Sequence, residues 1–185
     1  LMKINKMKAV VFTTRYSFFD MHWRVLIENL ESLQYEIVFI GEIDINIKKF
    51  PFNKKYKFIN TKISRSSINP IILIIEKLKI INILKREKPD IVHAFYLKSS
   101  FIAALSSLFL NTKFFFHLTG LGYMGNKSSF ISKLFMKLVR IPFYISTNKY
   151  NNKVVVETEF LKNYIIKKFK IDKKNIFIVS GVGID

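Results

Sequence analysis

Along the chain, short apolar runs alternate with longer segments whose apolar residues recur every three or four positions. Residues 8–13 (KAVVFT) and 36–40 (EIVFI) are compact and rich in Val and Ile, which predicts buried strands. The first closes on a polar loop at 14–17 and the second on Gly41. Between them Val25, Leu26, Leu30 and Leu33 fall at helical spacing and predict a helix over 21–33. A polar loop containing Pro51 follows, then a short strand at 57–60. Asn69 before Pro70 marks a helix start, an N-cap followed by a proline whose missing N–H costs nothing there. That helix runs to Glu87 and stops at Lys88, because a residue before proline avoids the helical region.

The second half continues the alternation. Residues 91–94 (IVHA) predict a strand, and Ser99 or Ser100 caps a helix through Phe109. Residues 113–118 (KFFFHL) predict a strand, followed by a glycine-rich loop at 119–125 (TGLGYMG). A helical pattern over 128–148 is interrupted at Pro142. Its predicted faces are Lys133, Lys137 and Arg140 toward solvent and Phe130, Ile131, Leu134, Leu138, Ile141 and Ile145 toward the sheet. A strand at 153–157 (KVVVE), a helix at 159–169 and a last strand at 175–179 (NIFIV) complete the pass. Such alternation predicts an α/β fold, doubly wound around a mainly parallel sheet, with Val10, Val11, Val38, Ile91, Phe115, Val155 and Ile178 inside the sheet. Functional groups then belong at the carboxyl ends of the strands.

At 185 residues, 50% hydrophobic, the chain is long enough for one domain with a substantial core. Its 31 Lys and Arg against 13 Asp and Glu give a net charge of +18. That charge favours anionic partners: nucleic acid, anionic lipid or phosphorylated substrates. The excess is in Lys, whereas Arg is the residue suited to planar, two-pronged recognition of phosphate or base. No acidic residue occurs over 91–156, which predicts a basic face; the basic helical pattern at 128–148 predicts docking on an anionic membrane surface, or else an ordinary surface helix. There is no cysteine, which excludes disulfides, thiol catalysis and thiolate zinc sites. The three histidines lie on separate segments and form neither a metal-ligand set nor a hydrolytic triad. The loop after the first strand has no glycine, so a dinucleotide fingerprint is missing and no cofactor is expected.

Four segments, in order, carry a resemblance: Lys88-Pro89-Asp90-Ile91-Val92-His93-Ala94 with Tyr96-Leu97-Lys98-Ser99-Ser100; Thr119-Gly120-Leu121-Gly122-Tyr123; Val154-Val155-Val156-Glu157-Thr158-Glu159; and Asn175-Ile176-Phe177-Ile178-Val179 with Gly181-Val182-Gly183-Ile184-Asp185. They are similar to the motifs of retaining glycosyltransferases of the GT-B type, in the large family 4 group. Residues 16–30 (YSFFDMHWRVLIENL) and 64–70 (SRSSINP) resemble the subgroup that builds lipid-linked bacterial glycans, including capsule and O-antigen. The resemblance covers residues 8–185. It implies a Rossmann-like amino-terminal, acceptor-side lobe of a GT-B architecture over 1–185, with the carboxy-terminal donor-binding domain absent.

The implied activity is transfer of a sugar from a nucleotide-sugar to a surface-glycan or polyprenyl-diphosphate-linked acceptor, at the cytoplasmic side of the membrane and without metal. This lobe alone is expected to be incomplete. By position in the motifs, Tyr16, His22 and Arg24 are acceptor-side candidates, and His93, Thr119, Gly120, Gly122 and Glu157 are cleft candidates. Many family members carry His where Thr119 stands; His117, two positions earlier, is set back from the strand tip. Two other classes stay open: a basic nucleic-acid or membrane-binding module without catalysis, and a subunit that needs a separately encoded donor domain. Against nucleic acid, the aromatic residues fall in segments expected to be core, where they cannot stack on bases.

Overall fold

The computed structural model describes residues 6–16, 23–43, 56–63, 70–120 and 130–179. Seven strands are seen there: β1 (Lys8–Arg15), β2 (Glu36–Glu42), β3 (Lys57–Asn60), β4 (Ile91–Phe95), β5 (Lys113–Leu118), β6 (Lys153–Val156) and β7 (Ile176–Ile178). They form one sheet in the order β3-β2-β1-β4-β5-β6-β7, and every neighbouring pair is parallel. The chain works outward from β1 to β3, then returns to lay β4 on the other side of β1. That reversal opens a crevice beyond the carboxyl ends of β1 and β4. The strand-helix alternation read from the sequence is therefore correct, and the doubly wound α/β class with it.

Alternation along the strands divides the apolar residues between two faces. One face carries Val10, Phe12, Val38, Val92, Ala94, Phe114, Phe116, Leu118, Val154 and Val156. Four helices cover it: α2 (Pro70–Glu87), α3 (Tyr96–Ser107), α4 (Phe130–Tyr144) and α5 (Glu159–Phe169). They contribute Ile80 and Leu84, Ile102, Val139 and Phe143, and Ile165 and Phe169. The opposite face carries Val11, Phe39 and Phe95 under Trp23 and α1 (Arg24–Ser32), which supplies Ile27 and Leu30. At Gly41 the backbones of β1 and β2 approach so closely that an added Cβ would stand 2.5 Å from the Thr13 carbonyl oxygen.

Several sequence expectations are corrected. Of the apolar residues whose spacing predicts α1, Val25 and Leu33 are exposed; Ile27 and Leu30 are the buried pair. Ser99 and Ser100 cap nothing, because α3 starts at Tyr96; they sit inside its first turns and donate to the Phe95 and Ala94 carbonyls. Leu138 and Ile141 face solvent, while Val139 and Phe143 meet the sheet, so the buried stripe of α4 is rotated from the predicted one. Pro142 does not end α4; the helix continues to Tyr144 and passes into a wider π-helical turn at Ile145–Lys149. The acid-free stretch is not one basic face. Lys98 is partly buried and paired with Glu76, and Lys113 opens β5 at the amino end of the sheet. Asn69 and the loop 121–129 lie outside the described residues.

The amino end of the sheet is tied by saturated polar contacts. Asn152 accepts from the Phe114 amide at 2.9 Å and donates to Ser146 Oγ at 2.9 Å, and Ser146 Oγ lies 2.7 Å from Ser107 Oγ. Buried Glu87 receives Lys57 at 2.8 Å and Lys8 at 3.7 Å. Burial alone would raise its carboxyl pKa; Lys57, Lys8 and Arg86 outweigh that and hold it below the ordinary carboxylate value.

Candidate active-site cleft

At the carboxyl end, β4 enters α3 with no loop between them. The reversal is made by Tyr96 alone, at φ 66°, a left-handed conformation that costs a non-glycine residue about 1 kcal/mol. Ser100 Oγ donates to the Ala94 carbonyl at 2.9 Å and Ser99 Oγ to the Phe95 carbonyl, closing carbonyls that the abrupt turn leaves without partners in a ladder. This start places Lys98 in the first turn of α3, where its Nζ meets Glu76 of α2 at 3.0 Å; Glu76 is buried and Lys98 partly so.

Beyond β1, β2 and β3 lies an open cleft of about 480 Å³, lined by Arg15, Glu42, Lys62, Ile63, Ile72, Ile75 and Glu76. One wall is charged. Arg15 ends β1 and faces Glu42, the end of β2, at 3.6 Å; that separation is an ion pair and not a hydrogen bond, and Arg15 Nε is buried with no hydrogen-bond acceptor. The other wall is made by isoleucines of the segment after β3 and of α2. Thr61, fully buried between β3 and Lys62, also has a hydroxyl with no hydrogen-bond partner. The cleft thus sets two cations and two carboxylates against a wall of isoleucines.

The second feature is a histidine pair on the α1 face of the sheet. His93 Nδ1 and His117 Nε2 lie 2.9 Å apart on adjacent strands β4 and β5, and one proton serves both nitrogens. Phe115 stacks on His93 at 4.8 Å, Phe95 stacks on His117 at 4.2 Å, and Trp23 meets His117 edge-on at 5.0 Å. Burial pushes His93 down to about 4. Burial, with His93 beside it, pushes His117 well below its ordinary value. Both rings are thus neutral at pH 7, and His117 Nδ1 faces no partner. The pair holds Trp23, and with it the beginning of α1, against the sheet just below the crevice.

The structure distributes the predicted residues over three places. Tyr16 closes β1 but is buried, its ring set edge-on to Phe39 and to Phe58 at 5.3 Å each. Arg24 lies exposed on α1 with Glu28 at 3.4 Å. Thr119 and Gly120 follow β5, and Glu157 follows β6; because Leu118 and Val156 are paired in register, these three leave the sheet side by side. His22 and Gly122 lie outside the described residues. The sequence reading missed Arg15, Lys62, Glu76 and Lys98, and did not join His93 to His117. Alternation puts 93, 95, 115 and 117 on matching faces, but only the β4–β5 register brings the two rings into contact. Among the described residues, no group of three His, Asp or Glu is placed to hold a metal ion.

The model of Glycosyltransferase Family 4 matches residues 20–182. The chain belongs to that family. No curated protein matches it. Among solved structures, it is similar to a glycosyltransferase from Rickettsia africae ESF-5, at TM-score 0.62 and 23% identity, covering 95% of this chain and 43% of that one. It is similar to the lipopolysaccharide outer core galactosyltransferase WaaB, at TM-score 0.63 and 16% identity, covering 94% and 45%. It is also similar to UDP-N-acetylglucosamine 2-epimerase from Rickettsia bellii, at TM-score 0.65 and 11% identity, covering 96% and 45%. This Family 4 chain therefore spans less than half the length of each of the three, and its fold is that of one GT-B lobe. Fold likeness alone does not separate glycosyltransferases from epimerases, since both kinds of protein share it; the family match groups the chain with the former.

Proposed function

We propose that this Family 4 domain is the acceptor-side, amino-terminal lobe of a retaining glycosyltransferase that moves a sugar from a nucleotide-sugar to a bacterial surface-glycan or polyprenyl-diphosphate-linked acceptor. The observation that carries this reading is the cleft beyond β1–β3, where Arg15 and Lys62 face Ile63, Ile72 and Ile75, and the two lining carboxylates, Glu42 and Glu76, are each paired with a cation, Arg15 and Lys98. The cations suit the diphosphate and the isoleucines suit the chain attached to it. An acceptor of that kind brings the protein to the inner face of the cytoplasmic membrane. Among the described residues no helix is long and apolar enough to cross one.

In this reading the donor is held by a second lobe facing the carboxyl ends of the strands. Thr119, Gly120 and Glu157 are assigned to the side of that lobe and Tyr16 and Arg24 to the acceptor side; Gly122 and His22, outside the described residues, are assigned to the same two sides by their motifs alone. His93 acts by holding His117 and Trp23 in place. Retention follows if the leaving phosphate, stabilised by positive groups and helix N-termini, takes the acceptor proton on the face where the new bond forms. A nucleic-acid module is disfavoured, because Trp23, Phe39, Phe95, Phe114 and Phe116 are buried and the exposed Phe109, Phe160 and Phe177 stand on separate segments.

The test is transfer from a panel of nucleotide-sugars to a polyprenyl-diphosphate-linked acceptor, followed by mass spectrometry. The 185-residue chain is expected to give no product alone and to give product when a Family 4 donor lobe is added. Robust turnover by the chain alone overturns the two-lobe reading. So does tight nucleotide-sugar binding in calorimetry that is lost in Thr119→Ala or Glu157→Ala, since the donor would then belong to this lobe.

A further inference from the structure

We infer that the outward face of α2 seats this protein on an anionic lipid bilayer, with the acceptor cleft opening at the lipid surface. The helix carries two acids, Glu76 and Glu87, and both are turned inward and paired, with Lys98 at 3.0 Å and with Lys57 at 2.8 Å. What remains outside, Asn82 apart, is apolar or basic. Ile74, Ile75 and Leu78 are 57%, 60% and 52% exposed. Phe109, just past α3, is 60% exposed, and Lys77 Nζ stands 4.5 Å over its ring. Lys79, Lys85 and Arg86 are exposed on the same helix. Single exposed apolar residues are ordinary on soluble proteins, but a helical stripe of them rimmed by lysines is the pattern of an interfacial helix.

Two observations select lipid as the occupant. Residues 77–86 (KLKIINILKR) hold no acid, so a second copy docked on this face about a two-fold axis would set lysine against lysine. Anionic headgroups instead complement them, each basic residue adding attraction within a Debye length. The patch is also continuous with the cleft, since Ile75 belongs to the stripe and, with Ile72, to the cleft wall. A lipid-borne acceptor therefore reaches Arg15 and Lys62 along an apolar path. On the same side of the sheet, α4 shows Leu138, Ile141 and Tyr144 exposed beside Lys137, a second strip of the same character. The inference rests on the proposed lipid-linked acceptor only for the choice of a bilayer as partner; the patch itself is independent of the sugar chemistry.

The test is flotation of the full chain with phosphatidylcholine vesicles containing about a quarter phosphatidylglycerol, and with phosphatidylcholine alone. Binding is expected to need the anionic lipid and to be lost at about 1 M salt, where screening acts within about 3 Å. The variant Ile74→Ser/Leu78→Ser, which leaves the cleft-lining Ile75 in place, is expected to bind about tenfold less with an unchanged melting temperature. Val25→Ser/Leu33→Ser, exposed on the other face of the sheet, is expected to bind as the parent does. Equal flotation of the α2 variant, equal binding to both vesicles, or self-association in the absence of lipid that the α2 variant abolishes overturns the proposal. Transfer to a water-soluble acceptor analogue separates the two readings. Retained transfer with lost flotation in the α2 variant supports both, whereas flotation without any transfer, donor lobe present, overturns only the enzymatic reading.

Discussion

The two ends of the sheet are finished in opposite ways. At the amino end nearly every buried polar group has a partner: Asn152 with Phe114 and Ser146, Ser146 with Ser107, Glu87 with Lys57 and Lys8, and Asn175 with the Thr147 carbonyl at 3.0 Å. At the carboxyl end Arg15 Nε, Thr61 Oγ1 and His117 Nδ1 are buried without hydrogen bonds, and Tyr96 sits in a left-handed turn. Unmet buried polar groups cost stability, about 1–3 kcal/mol each, so a fold keeps them where something other than stability is served. In the proposed function, the amino end holds the domain together and the carboxyl end receives the ligand.

Acid should expose this difference most. His93 is pushed down to about 4 in the folded protein, against an ordinary 6.5. Between those values the unfolded chain binds the proton and the folded one does not, so stability is full above pH 6.5 and falls as pH drops toward 4. The slope is about 1.4 kcal/mol per pH unit per histidine, and His93 alone accounts for a loss of about 3 kcal/mol over the window. Urea denaturation at a series of pH values measures it. In His117→Phe the slope between pH 6.5 and 5 should fall by about half, because one of two buried histidines is gone. A slope unchanged by that substitution would assign acid sensitivity to the carboxylates.

At the other end the expected effect is smaller and independent of pH. Asn152→Ala strips the Phe114 amide of its acceptor and Ser146 of a donor, both in buried surroundings. Losing them should cost about 2–3 kcal/mol, read as a lower urea midpoint at unchanged m-value. Acceptor binding should be untouched, since this network lies a full strand length from the cleft. A variant that unfolds normally but fails to bind would remove the division of labour between the two ends.

The strands and most helices were legible because their signals are local. The run KAVVFT, the Pro70 start and the stop before Pro89 each act within a few residues, and β1, α2 and the neighbouring strand follow them closely. Where a helix turns its face was less legible. In α4 both stripes are apolar enough to be core, and only contact with α3 and α5 decides that Val139 and Phe143 go inside. The cleft was the least legible part. Arg15, Glu42 and Glu76 come from three elements and Lys62 from the segment after β3, and sheet order brings them together, a quantity that no local pattern encodes. The His93–His117 contact likewise depends on register, because a shift of one residue would send one ring to the opposite face.

Thr61 gives the finest test of the comparison. Its side chain is fully buried beside the cleft, and its hydroxyl makes no hydrogen bond. Its amide is satisfied by the Gly41 carbonyl at 2.8 Å, so the backbone does not need the hydroxyl. Thr61→Val keeps the branched shape and removes the unmet polar group. On stability grounds alone the substitution should be neutral or should raise ΔG by up to about 1 kcal/mol. If the carboxyl end is organised for a ligand, the same variant should bind a polyprenyl-diphosphate acceptor more weakly, because Thr61 adjoins Lys62 and Ile63 in the cleft wall. A gain in melting temperature together with a loss of acceptor affinity is the expected outcome. A loss of stability would show instead that the hydroxyl has a structural partner, and the contrast between the two ends would then not extend to β3.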